Sequence, residues 1–334
     1  MTTLRVVLAL ASSKKWLLHQ LDVDNAFLHA NLEEEIYMAL PQGNDISEIN
    51  KFKQQLHAQF RIKDLGEAKF FLGLEIARSS KGIVLNQRKY ALELLSDSSL
   101  LCCKAATTPM DTSIKLGPAI GKPLSDISSS RRLIGRLIYL TTTRPNIAFV
   151  VNQLSQFLSA PTYRHQAAAH RVLCYIKGSP GCGLFYPTSN AHKLTAYSDS
   201  DWADCIDSRK SITVYCLYIG SSLISWRSKK QTTIARSSCE AEYRAIAATM
   251  CEVQWISYLL LDLQAAKPSH VSFFCNYRST IHIAHNPSFH ERTKHIELDC
   301  HIVREKSTKA LFIFCPSPQH NDRYLHKASD ACTV

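Results

Sequence analysis

The sequence predicts an α+β N-terminal half followed by an α/β domain built on a mixed sheet, and three observations carry that expectation. Apolar residues recur with helical spacing through most of residues 44–190. Beyond residue 192 the pattern changes to short runs rich in aromatic and β-branched residues, at 194–199, 212–219, 223–226 and 271–275. Between the two, residues 178–190 collect Gly, Pro, Ser and Asn, the composition of a loop or boundary. Three strands, a helical pattern at 238–263, a fourth strand and further helices at 278–285 and 294–306 imply a mixed sheet with covered faces.

Taken in order, residues 1–43 read as a helix, a strand and a loop ending at Pro41, Gln42 and Gly43. The apolar run Val6 to Ala11 after Arg5 is shorter than a signal-peptide core, and Lys14 and Lys15 follow at once, so an ordinary helix is expected. Leu21, Asp22, Val23 and Asp24 alternate, which places both carboxylates on one strand face, either solvated or holding a metal. Residues 44–190 form the second unit, mostly helical. There Ile147, Val150, Val151, Leu154, Phe157 and Leu158 make an amphipathic stripe, with Pro145 suited to its first turn. A helix over 163–177 stops before Gly178, a natural residue to follow a helix end. Residues 192–334 form the third unit.

The chain has 334 residues, with 39 Lys and Arg against 28 Asp and Glu, a net charge of +11. At 46% hydrophobic and 20% charged it is neither disordered nor low-complexity. No apolar run approaches the roughly 18 residues of a membrane span, so no membrane partner is expected. Twelve cysteines without a C-x-x-C pair fit neither a zinc ribbon nor a disulfide scaffold and point to a reducing, intracellular setting, cytoplasmic or nuclear. The positive balance fits a polyanionic partner such as nucleic acid.

Ser237 and Glu240 have the spacing of a capping box, which explains Glu240 structurally. Glu242 has no such explanation. It extends the stripe Ile246, Met250, Val253, Ile256, Leu260 and so falls on the buried helix face, where a carboxylate needs a partner such as a metal ion. A first-turn acid favoured by the helix dipole is the other reading. Asp199 ends a strand, with Asp201 and Asp204 beyond it, and fits either a solvated turn or a metal ligand. A strand-end Asp and a helix-borne Glu are parts of a two-metal phosphoryl-transfer site. Trp226, Arg227, Lys229 and Lys230 could grip a phosphate backbone and stack on a base, or form a solvated turn after a strand. His290, His295 and His301 fit polar or capping roles as well as proton transfer or metal ligation.

Several blocks closely resemble the ribonuclease H domain of copia-type retrotransposon polyproteins: Tyr197 to Ala203, Asp207 to Ser211, Ile224 to Gln231, Ala241 to Tyr243, and His290 to Ile296, which includes Arg292 and Lys294. Upstream, Trp16 with Gln20 to His29 resembles the first metal-binding motif of the same element's reverse transcriptase. Lys63 to Gly66 with Phe71 to Glu75 resembles the segment after its palm, and Thr108 to Asp111 with Gly135 to Pro145 its thumb and connection. The resemblance implies a reverse-transcriptase remnant, with N-terminal palm and fingers at 1–43 and the end of palm, thumb and connection at 44–190, then a ribonuclease H-like domain at 192–334. It implies RNA-directed DNA polymerase and hybrid ribonuclease activities, two Mg²⁺ ions and an RNA–DNA hybrid as partner. Arg292 and Lys294 join Trp226, Arg227, Lys229 and Lys230 as expected nucleic-acid contacts.

The departures from the family pattern are specific. The polymerase site of the family needs a Tyr-x-Asp-Asp hairpin, yet no Asp-Asp dipeptide occurs here, which leaves Asp22 as a remnant ligand. The join between Gly43 and Asn44 resembles an internal deletion of the middle palm, and Ala30 and Asn31 replace the usual Gly and Asp after His29. In the ribonuclease site, Asp199 and Glu242 match the first two carboxylates and are the expected metal ligands. Asn276 stands where the family has Asp, and Arg323 where it has the fourth acid, with Asp322 one residue early. The expectation is therefore a degenerate Pol fragment with no polymerase activity and weak or absent ribonuclease H activity. The alternatives are a non-catalytic hybrid-binding remnant, an incorrectly spliced product of an intact element, and a chain whose N-terminal half does not fold stably.

Overall fold

The computed structural model describes residues 1–23, 46–60, 62–111, 113–114, 116–118, 121–265, 271–275, 297–307 and 310–314. Asn276, Arg292, Lys294, Asp322 and Arg323 lie outside the described residues, as do the helix expected at 278–285 and the loop to Gly43. The chain opens with α1 (Thr2–Ser13) and β1 (His19–Val23), followed by α2 (Ile46–Phe60). Strand β2 (Ile62–Glu67) pairs antiparallel with β1, setting Asp22 opposite Lys63.

Four strands then make an antiparallel sheet in the order β3 (Phe70–Phe71), β4 (Leu74–Ser79), β5 (Gly82–Asn86) and β6 (Leu184–Pro187). The stretch expected to be mostly helical therefore carries a sheet as well. Its last strand arrives about a hundred residues after β5, a pairing without any local periodic signature. Between β5 and β6 lie α3 (Arg88–Asp97), α4 (Ile127–Leu140), a 3₁₀ turn over Pro145–Ile147, α5 (Ala148–Ser155) and α6 (Tyr163–Gly178). The single stripe read from Ile147 to Leu158 is thus a 3₁₀ turn continuing into a short helix, with Pro145 at its start as expected. These helices bury Leu94, Leu95, Leu137, Val151, Leu173 and Ile176 against one another in a core of their own.

The C-terminal stretch forms a five-stranded mixed sheet in the order β11 (Ala310–Phe314), β10 (Val271–Cys275), β7 (Leu194–Ser200), β8 (Ile212–Ile219) and β9 (Ser222–Lys230). Strands β7 to β9 are antiparallel, whereas β10 runs parallel to both β7 and β11. The mixed sheet was expected, and β11 adds a strand that the sequence reading lacked. The β8–β9 turn uses Gly220 at φ +58°, where a Cβ would collide with the Asn190 side chain. Helix α7 (Ser238–Asp262) crosses β7 and β8, and α8 (Glu297–Ser307) packs on α7.

One hydrophobic core joins this sheet to the start of the chain: Val6, Leu8 and Leu10 of α1 pack with Leu85, Tyr186, Ile224 and Leu223. The junction is held by Arg5, buried, whose guanidinium lies 3.8 Å from the Trp226 ring centroid and donates to the Thr142 carbonyl at 2.8 Å. Burial draws its pKa down to about 10, so it stays charged at neutral pH. Among the described residues no helix is long and apolar enough to cross a membrane.

Candidate functional site

The site forms where β7 ends beside the first turns of α7. Asp199 sits opposite Val214 in the β7–β8 pair and is 8% exposed. Ser237 starts α7 by accepting a hydrogen bond from the Glu240 amide, and the Glu240 side chain accepts from the Arg236 amide and pairs with Arg244 at 2.6 Å. The Ser237 half of the expected capping box is thus observed, while the Glu240 side chain returns to the Arg236 amide, one residue before the cap. Two residues on, Glu242 turns inward with Tyr243 and Ile246 and is 3% exposed.

Glu242 Oε1 accepts a hydrogen bond from the Ser200 amide at 3.2 Å and the carboxyl lies against Asp199, while Oε2 is buried and receives no hydrogen bond from an N–H or hydroxyl group. Burial, followed by the adjacent Asp199 charge, pushes the Glu242 carboxyl up to about 9. Asp201 is also displaced: burial raises it to about 6, and Asp204 and Asp199 add to this against a 2.7 Å hydrogen bond from the Ile212 amide. Two carboxyls forced into one dry pocket need a proton or a cation between them. An orphaned oxygen beside a second carboxylate fits the hard, oxygen-rich surroundings that Mg²⁺ takes. Among the described residues no group of three or more His, Cys, Asp or Glu side chains could hold a metal ion, so the pair is a partial donor set.

Gln231 is a positioning residue the sequence reading did not single out. Its Nε2 donates to the Ala241 carbonyl at 2.9 Å, to Thr213 Oγ1 at 3.1 Å and to Ser200 Oγ at 3.3 Å, tying the end of β9 to the first turn of α7 and to the strand that carries Asp199. Only its place just after the basic run hinted at such a role. Ser198 and Thr249, both buried, add a 3.1 Å bond between β7 and the middle of α7.

Strand alternation divides the expected nucleic-acid contacts. Arg227 and Lys229 are exposed and line a cleft of about 850 Å³ with Thr213, Tyr215, Arg244 and His301. Lys230 also borders the cleft but is half-buried, its Nζ 3.1 Å from Cys205 Sγ and 3.2 Å from Ser208 Oγ. Trp226 packs against the core beneath Arg5. Asp22 lies in β1, paired with β2 in a sheet separate from the five strands that bear Asp199.

The raised carboxyls give a pH dependence of definite sign. In the fold Glu242 holds a proton that the unfolded chain, with its ordinary carboxyl, has released. Stability should therefore fall as pH rises from about 4.5 toward 9, by at most about 1.4 kcal/mol per pH unit for one proton. Thermal melts without divalent cations between about pH 5 and 8.5 measure this slope. Glu242→Gln should flatten it, and a variant with the parent's slope would show that Glu242 is not its source.

Comparison with known proteins extends the reading from the site to the chain. A family model described as reverse transcriptase (RNA-dependent DNA polymerase) matches residues 1–48 and 42–112. The retrovirus-related Pol polyprotein from transposon RE1 of Arabidopsis thaliana is 34% identical over 91% of this chain and 26% of that protein, so the chain spans about a quarter of its length. The transposon Ty5-1 protein YCL074W of Saccharomyces cerevisiae is 32% identical over 61% of this chain and 67% of its own. Among solved structures, LC11-RNase H1 gives a looser likeness, at 14% identity and a TM-score of 0.29 over 42% of this chain and 92% of that one. With two thirds of the Ty5-1 protein matched at 32% identity and nine-tenths of its own length aligned to a transposon Pol polyprotein, the chain belongs to the Pol polyprotein family of copia-type retrotransposons.

Proposed function

We propose that this chain is a reduced Pol fragment that binds RNA–DNA hybrid, has lost DNA polymerase activity and retains only part of a ribonuclease H metal site. The observation that carries the reading is the buried Asp199–Glu242 pair with its orphaned Oε2. Asp199 and Glu242 would hold a divalent cation, which when bound supplies water activation and charge neutralisation for phosphodiester hydrolysis. The chain's own groups do the positioning: the Ser200 amide orients Glu242, and Gln231 holds β7, β8 and α7 in register. In the sequence Asn276 directly follows the last residue of β10, the strand that runs parallel to β7. An amide there brings no negative charge to a cation.

The loss of polymerase activity is supported by the N-terminal half. The family match breaks into two segments that overlap at 42–48, where the sequence joins Gly43 to Asn44. The alignment to RE1 runs over 377 positions while 91% of 334 residues is about 304, so about 73 positions have no residue in this chain. That is room for the missing palm hairpin. Primer extension with purified protein and Mg²⁺ should therefore give no product, because catalysis of this type depends on positioning both metals. Extension above a no-enzyme control would overturn the assignment.

Hybrid binding is supported by the +11 charge and by Arg227 and Lys229 at the cleft. Each phosphate contact adds about one unit to the negative slope of log affinity against log salt, so Arg227→Ala and Lys229→Ala should each reduce that slope by about one. Trp226→Ala should instead lower the melting temperature, since its ring carries Arg5. A titration insensitive to salt, or unchanged in the double Ala variant, counts against this face.

Hybrid cleavage should be weak or absent in the parent and recover with its carboxylates. Asn276→Asp and Arg323→Asp restore charge at the two family positions, and together should raise the rate by roughly 10- to 100-fold, the range over which metal-site partners act. Assays across Mg²⁺ and Mn²⁺ on the parent, both single variants and the double variant test this. A parent rate that the double variant does not exceed would refute the assignment of those two positions.

A further inference from the structure

Away from the carboxylates, the segment after α3 is laid along α6 by contacts at several successive points. Lys177 Nζ donates to the Leu101 carbonyl, and the Ala106 amide donates to the Cys174 carbonyl at 3.1 Å. Arg171 donates to Thr108 Oγ1 at 2.9 Å, and Gly178 lies against the Ala105 methyl. This register places the Cys103 side chain beside the Cys174 thiol. Both are half-buried, Cys102 beside them is exposed, and all ten cysteines among the described residues are free thiols.

We propose that Cys103 and Cys174 form a redox-active dithiol that small-molecule disulfides of the glutathione class convert to an intramolecular disulfide. The chemistry balances in two exchanges. Cys103, as thiolate, attacks one sulfur of the small disulfide, forming a mixed disulfide and expelling one small thiolate, which takes up the proton that Cys103 released. Cys174 then loses its proton and attacks the Cys103 sulfur, expelling the second small thiolate, which takes up that proton. The protein dithiol is oxidised by two electrons and the small disulfide is reduced to two thiols. Burial and the neighbouring Cys103 hold the Cys174 thiol above its ordinary range, which makes it a poor first attacker, and the Arg171 charge favours the thiolate it needs for the second exchange.

The bond would close the chain from residue 103 to residue 174, a span that contains α4, α5 and most of α6, and hence most of the helical core. A covalent tie across so long a loop removes conformational freedom chiefly from the unfolded chain. The segments that carry the two ends already lie side by side, held by the hydrogen bonds along α6.

The test treats the full chain with glutathione disulfide, blocks remaining thiols with an alkylating agent and maps the peptides by mass spectrometry beside reduced and oxidised thermal melts. The expected result is a Cys103–Cys174 cross-linked peptide and a rise in melting temperature that dithiothreitol reverses. The rise should vanish in Cys103→Ser and Cys174→Ser, whose reduced forms should melt with the reduced parent, and persist in Cys102→Ser. Glutathione retained on Cys103 without a cross-link, a cross-link made by Cys102 in place of Cys103, or a cross-link with no thermal shift would each overturn the proposal.

Discussion

Two acids share one dry pocket at the end of β7, and the local architecture of the C-terminal half is arranged around that constraint. Asp199 comes from a strand and Glu242 from a helix, so their approach depends on how α7 is started and how it is held to the sheet. Ser237 caps the helix, Gln231 binds its first turn to β7 and β8, and the Ser198–Thr249 bond fixes its middle. Like charges in such a place are unfavourable unless a proton or a cation joins them. The raised Glu242 carboxyl is the mark of the first solution, and its unpartnered oxygen leaves room for the second.

The N-terminal helix belongs to the same physical unit, although most of the chain separates it from that sheet in sequence. Arg5, on α1, spreads its guanidinium over Trp226 of β9 and reaches the Thr142 carbonyl just after α4, so one buried cation joins three parts of the molecule. A cation over an indole face is favourable even when partly desolvated, and the carbonyl takes up one of its donors. The cost is that Trp226, an aromatic residue in a basic run, serves packing. The outward face of β9 is left to Arg227 and Lys229, the alternate positions of the strand.

Much of the C-terminal half was legible in the sequence because its signals are local. The stripe Ile246, Met250, Val253, Ile256 and Leu260 is buried as its spacing requires, and Glu242 lies on the same face. The strands at 194–199, 212–219 and 271–275 appear within a residue of their apolar runs, and Ser237 caps α7 through the Glu240 amide. The four-stranded sheet was missed because β3 has two residues and β6 joins from far along the chain. Short strands and distant partners leave little periodicity to read.

The sequence by itself pointed to the family and to the acids Asp199 and Glu242, since motifs are ordered strings of residue types. Only the tertiary structure decided that Oε2 of Glu242 is orphaned, that Trp226 lies under Arg5, that Lys230 turns toward Cys205 and that Cys103 meets Cys174. Each of these is a relation between residues tens to hundreds of positions apart. Such relations are set by how sheets and helices pack, and no spacing along the chain encodes them.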